Sequence, residues 1–230
     1  MNESDVIFAR NDAKIFKEYA IKTLGVPADN VTLLTDATAG EMSQNINLIS
    51  KIISKIDSAE LIFYYAGHGL PDEITNIPYL IPVDVNGTDL SSAIKLSDVY
   101  KQFSECSAKR VTIFLDACFS GGSRETGLLA QRGVKIKPNK EVLSGNLVVF
   151  TASSEKQSAL PYNNEKHGMF TYFLLKKLKE TKADITYDEL SKYVKTNVSI
   201  NSLKVNRTEQ DPKVNISNDI KEIWKGWKMK

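Results

Sequence analysis

Apolar and polar positions alternate along this chain with two different periods. Across residues 12–24 the apolar positions return at helical spacing, with Ile15, Tyr19 and Leu24 on one face. Gly25 and Pro27 end that run. Across residues 41–56, Met42, Ile46, Ile49, Ile52, Ile53 and Ile56 recur at steps of three or four, which predicts an amphipathic helix. Residues 31–34 read as a short buried strand. Residues 61–65 (LIFYY), 111–115 (VTIFL) and 147–151 (LVVFT) carry apolar side chains on both faces, as central parallel strands do. Residues 79–83 are a further short strand, and residues 96–103, 168–179 and 186–198 are helices. Strand and helix alternate, so the expected architecture is a doubly wound α/β sheet with crossover helices. In such sheets ligands sit beyond the carboxyl ends of the strands.

Composition narrows the function. The 230 residues suffice for one large or two small domains. Lys and Arg number 30 against 28 Asp and Glu, a net charge of +2, which is no footprint for gripping a nucleic-acid backbone. The apolar runs are too short to span a bilayer, and no charged-then-apolar segment opens the chain. The two cysteines, Cys106 and Cys118, make neither a disulfide framework nor a zinc pattern, so a reducing cytoplasm is the expected setting. With two histidines besides, cysteine-histidine chemistry draws on four side chains.

Two strands end alike. LIFYY runs into Ala66-Gly67-His68-Gly69, and VTIFL runs into Asp116-Ala117-Cys118-Phe119-Ser120-Gly121-Gly122. Each delivers one reactive side chain into a glycine-flanked turn, where the backbone bends sharply and a substrate approaches closely. Adjacent parallel strands would put His68 and Cys118 at one sheet edge, the minimum kit for a thiolate nucleophile with a base. His167 has no buried strand leading into it and reads as a turn or helix-start residue. Cys106 follows a helix in no reactive context.

YYAGHG and DACFSGG resemble the His and Cys boxes of the caspase-like cysteine peptidases, in particular the metacaspase and bacterial branch of peptidase family C14. Their His-to-Cys distance matches the caspase spacing of about 50 residues. Asn11-Asp12-Ala13, LLTDATA, IPVD, VVFTAS and HGMFTYFLL extend the likeness over roughly residues 9–180. The resemblance implies a three-layer sandwich, a mostly parallel central sheet with helices on both faces. It also implies a peptidase domain over residues 1–200: a large-subunit-like part (1–122), a basic loop (121–145) and a small-subunit-like part (146–200). Residues 201–230 form a C-terminal extension.

By resemblance, Cys118 is the nucleophile and His68 the general base and acid. The backbone N–H groups of Gly69 and Cys118 form the oxyanion hole. Asp12 and Asp116 are the acidic pocket for an Arg or Lys side chain before the cut bond. A helix-terminal role for Asp12 reads equally well from the residues alone. Arg132 is the self-cleavage candidate in the basic loop. Many metacaspases require calcium; Asp72, Glu73, Asp84 and Glu125 are the loop carboxylates available, and no metal ligand set is assigned. The branch resemblance implies a monomer acting on protein or peptide substrates, with no nucleic-acid or membrane partner. The family sheet begins with an apolar strand ahead of the Asn-Asp-Ala helix. Here only residues 1–10 precede that helix, so the first strand is expected to be absent and the neighbouring strand edge to lack partners. A second departure is Ala66, where many metacaspases carry Ser. The rival reading is a catalytically inactive caspase-like interaction module. An α/β-hydrolase is disfavoured, because that fold places the nucleophile before the histidine.

Overall fold

The computed structural model describes residues 6–120, 137–139, 141–154 and 156–230. In chain order the elements are α1 (Ala9–Lys22), α2 (Ala39–Ile53), β1 (Glu60–Ala66), β2 (His68–Pro71), β3 (Pro78–Ile81), β4 (Ile94–Lys95), α3 (Leu96–Glu105), β5 (Arg110–Asp116) and β6 (Leu147–Thr151). They continue with β7 (Pro161–Tyr162), β8 (His167–Gly168), α4 (Met169–Thr181), α5 (Tyr187–Asn201) and β9 (Lys213–Ile216). Helices α2 and α5 start where Thr38 and Thr186 each meet a glutamate three residues on, closing a reciprocal capping box with Glu41 and Glu189.

The main sheet runs β1-β5-β6-β9; β1, β5 and β6 are parallel and β9 is antiparallel to β6. Alternation along β5 shows how the layers are filled. Val111, Ile113 and Leu115 pack with Met42 and Ile46 of α2 and Val99 and Phe103 of α3. Phe114 points the other way, onto Phe16 of α1 and the aromatic and aliphatic side chains of α4 and α5. Thr112, on that same face, bonds the hydroxyl of Tyr187. Helices therefore cover both faces, the expected three-layer sandwich. A separate antiparallel sheet, β2-β3-β4, extends from the end of β1.

Three expectations change. Residues 31–34 form no strand: the segment is partly exposed, Leu34 to 38%, and no described strand lies beside it to satisfy a ladder. Residues 79–83 do pair, but as β3 against β2 rather than in the main sheet. The segment read as a C-terminal extension supplies β9 and packs Ile220, Trp224 and Met229 into the α1/α4/α5 core, with two short 3-10 turns at Asn218–Ile220 and Trp224–Gly226. Among the described residues no strand pairs with the outer edge of β1. Among those residues no helix is long and apolar enough to cross a membrane.

Candidate active site

The site is set by register. In the parallel ladder Ala66 lies opposite Asp116, and the Gly67 N–H still donates to the Asp116 carbonyl at 3.4 Å. His68 and Cys118 each follow two residues beyond that last pair, on strands about 4.8 Å apart. They emerge level, at the carboxyl edge of the sheet. The chain then separates them by function: His68 opens β2, half-buried, while Cys118 is buried at 4% exposure.

Two glycines are fixed by close approach. A Cβ on Gly69 would sit 2.9 Å from the Cys118 carbonyl oxygen and 2.6 Å from the Phe119 ring. The His68–Gly69 turn thus lies directly against the Cys118–Phe119 backbone, and no side chain fits between them. A Cβ on Gly67 would meet the Tyr65 hydroxyl at 2.6 Å. That hydroxyl donates to the His68 carbonyl at 2.7 Å and lies 3.3 Å from the Ile81 carbonyl. Tyr65 was hidden in an apolar strand pattern; its ring fills the core while its hydroxyl holds the backbone of the histidine turn.

The carboxylates of Asp12 and Asp116 are fully buried and converge on the start of α4. The Gly168 N–H donates to Asp12 Oδ2 at 2.8 Å, and His167 Nδ1 lies 2.6 Å from Asp12 Oδ1. Thr171 donates to Asp116 Oδ2 twice, from its hydroxyl at 2.6 Å and its N–H at 3.3 Å. The Thr171 hydroxyl also meets Tyr64 Oη at 2.7 Å. The Gly168 and Thr171 N–H groups, which lack helical acceptors at the N-terminal end of α4, thus find them in Asp12 and Asp116. Asp12 does lie in the first turn of its own helix, but the N–H it caps is that of Gly168, just ahead of α4. His167, read as a turn residue, is the partner of Asp12, a pairing across the fold that local pattern does not signal.

The cysteine sulfur is covered. The Ala159 N–H points at Cys118 Sγ from 2.7 Å, and the Ala159 carbonyl oxygen is 3.6 Å from the same atom. Ser120, which the sequence gives no catalytic part, donates instead to the Gln157 carbonyl at 3.1 Å. Cys106 is also buried; its thiol donates to the Phe103 carbonyl at 3.0 Å and its pKa is pushed up by burial, so it stays an inert thiol. Arg132 and Glu125 lie outside the described residues. Asp72 caps its own turn, accepting from Ile74 N, Thr75 N and Thr75 Oγ1, and Asp84 accepts from the Ala39 N–H at the start of α2. Among the described residues no three carboxylate, histidine or cysteine side chains gather as a metal cage.

A buried cysteine and a turn histidine level on neighbouring parallel strands are the arrangement that the two sequence boxes imply. The sequence pattern of the caspase domain of peptidase family C14 matches residues 5–222. The chain belongs to that family. As a caspase-domain protein it is a cysteine-type peptidase, a hydrolase. The crystal structure of caspase-1 from Spodoptera frugiperda is similar over 90% of this chain and 77% of that one, with a TM-score of 0.63 and 16% identity. At that identity the likeness concerns the fold. None of the curated proteins compared with it matches. The caspase domain takes in β9 and the Gln210–Asp211 turn before it, so the match runs beyond the boundary that the sequence suggested at residue 200.

Proposed function

We propose that this caspase-domain peptidase is an endopeptidase of metacaspase type that cleaves after Arg or Lys through a Cys118–His68 dyad. The observation that carries the reading is the shared level of the two side chains on β1 and β5, with Gly69 pressed on the Cys118 backbone. The Cys118 thiolate attacks the scissile carbonyl carbon, forming a C–S bond. The developing oxyanion is met by the N–H groups of Gly69 and Cys118. The tetrahedral adduct collapses, the C–N bond breaks, and His68 gives the leaving amine the proton it took from the thiol. Water, deprotonated by His68, then hydrolyses the thioester and frees Cys118.

Asp12 and Asp116 supply the basic preference. Two buried carboxylates favour a cationic side chain and repel an acidic one, and the forked guanidinium of Arg suits carboxylate partners best. A guanidinium reaching Asp12 Oδ1 meets His167 there first and takes over its hydrogen bond. Self-cleavage at Arg132 in the basic loop accompanies this preference, and intact mass of the purified wild type against Cys118→Ala reads it: a clip present only in the wild type is expected, and equal masses remove it.

Fluorophore release from short peptides ending in Arg, Lys or Asp, with calcium or chelator, tests the whole reading. Release from the Arg and Lys peptides, lost in Cys118→Ala, is expected. Release from Asp peptides alone removes Asp12 and Asp116 as a basic pocket. Silence from a folded protein whose Cys118 alkylates readily favours the inactive module.

A further inference from the structure

The backbone between β6 and β7 lies on the nucleophile, and the hydrogen bonds that hold it come from the far end of the chain. Gln210 is fully buried. Its Nε2 donates to the Ala152 carbonyl at 2.9 Å and its Oε1 accepts from the Leu160 N–H at 2.9 Å. One side chain thus ties Ala152 to Leu160. The middle is held separately. Gln157 Oε1 accepts from the Asp211 N–H at 2.8 Å, and Gln157 Nε2 donates to Asp211 Oδ2 at 2.7 Å. Ser199 Oγ donates to Asp211 Oδ1 at 2.6 Å. The bonds from Gln157 and Ser199 hold the Asp211 carboxyl below its usual range, so it is ionised at neutral pH. On the inner side the Gln157 carbonyl accepts from Ser120 and Ser153, each at 3.1 Å.

We infer that residues 156–160 are a self-inhibitory strap over Cys118, latched by Gln157, Gln210, Asp211 and Ser199. The Ala159 backbone lies on the sulfur, its N–H at 2.7 Å and its oxygen at 3.6 Å. An attacking thiolate needs a carbonyl carbon at about 3–3.5 Å, in the space that this peptide group takes up. The N–H also engages a sulfur lone pair that nucleophilic attack requires. The strap must therefore lift or slide before any acyl transfer, and the turn at Gln210–Asp211 decides how often it does. The inference rests on Cys118 being the nucleophile, and it adds a closed resting state to that reading.

Alkylation of Cys118 by iodoacetamide in the full chain, followed by mass spectrometry of the Cys118 peptide, tests the strap without any substrate. The Cys106 peptide reports on folding in the same sample. Asp211→Ala frees Gln157 and is expected to raise the Cys118 rate more than about tenfold while Cys106 stays protected. Ser199→Ala removes a single hydrogen bond and guards against misfolding of the first variant; a rise of about 2- to 12-fold is expected from it. Cys118 rates no faster than wild type, in either variant with Cys106 protected, overturn the strap. Faster alkylation with no cleavage of Arg or Lys peptides upholds the strap and overturns the basic-peptide reading. Faster alkylation with a parallel rise in kcat/KM upholds both.

Discussion

At the scale of single residues, the site is shaped by neighbours whose work is to hold backbone in place. Tyr65 Oη reaches the His68 carbonyl only because residue 67 has no side chain. Tyr65→Phe keeps the ring in the core and removes one hydrogen bond, a loss of about 0.5–1.5 kcal/mol. We expect kcat to fall by about 2- to 12-fold with KM little changed, and the basic limb of the pH–rate profile to keep its shape, since His68 itself is intact. Steady-state kinetics across pH check this; a KM rise with constant kcat would place Tyr65 in substrate binding. The sequence disclosed His68 and Cys118 because the chemistry demands those residue types in those turns. Tyr65 was invisible there, since a phenol in an apolar run looks like any other strand residue. Ser120, Gln157 and Gln210 were invisible for another reason. Amide and hydroxyl side chains become informative only when their partners, distant in sequence, are in view.

At the scale of elements, the parallel pairing of β1 with β5 makes alternate residues of β1 inequivalent. Gly67 N–H and Ala59 O both face β5, so Leu61, Phe63 and Tyr65 turn their backbone groups inward. Ile62 turns its N–H to the outer edge, where no described strand lies. Hydrogen exchange by NMR should therefore show Ile62 exchanging at least tenfold faster than Phe63, although both belong to one strand. Equal protection would mean that this edge is covered in solution. Strands β1, β5 and β6 and helices α1 to α5 were legible from period alone, within about two residues at most ends. Residues 31–34 were not. Their apolar pattern suits a strand, but a strand exists only where a neighbouring backbone completes its ladder, and local sequence does not report that neighbour. What the start of α4 binds escaped notice likewise. Its N–H groups gather Asp12 and Asp116, which lie far away along the chain.

At the scale of the whole molecule, contacts between segments far apart along the chain close the fold. Asp12 of α1 joins Gly168 and His167 across a sequence separation of 156 and 155 residues, fully buried. Asp12→Ala leaves the Gly168 N–H and the His167 ring without their partner, at a cost of about 1–3 kcal/mol. Denaturant unfolding is expected to show a lower midpoint with an unchanged slope, and cleavage after Arg to fall more than cleavage after Lys. Unchanged stability would mean that water replaces the carboxylate, and that α1 docks through Phe16 and its apolar neighbours alone. A segment near the other end of the chain reaches the surroundings of Cys118, the proposed nucleophile, through the clip that Gln210 makes on residues 152 and 160. That clip gives the protein a history during its own synthesis. At roughly 5–20 residues per second, the ribosome completes Cys118 and His68 seconds before it reaches Gln210. Throughout that interval the nascent chain carries its sulfur without the clip that pins the cover. On the strap reading the clip closes only once Gln210 has been made, so the latch is among the last parts of the site to be assembled.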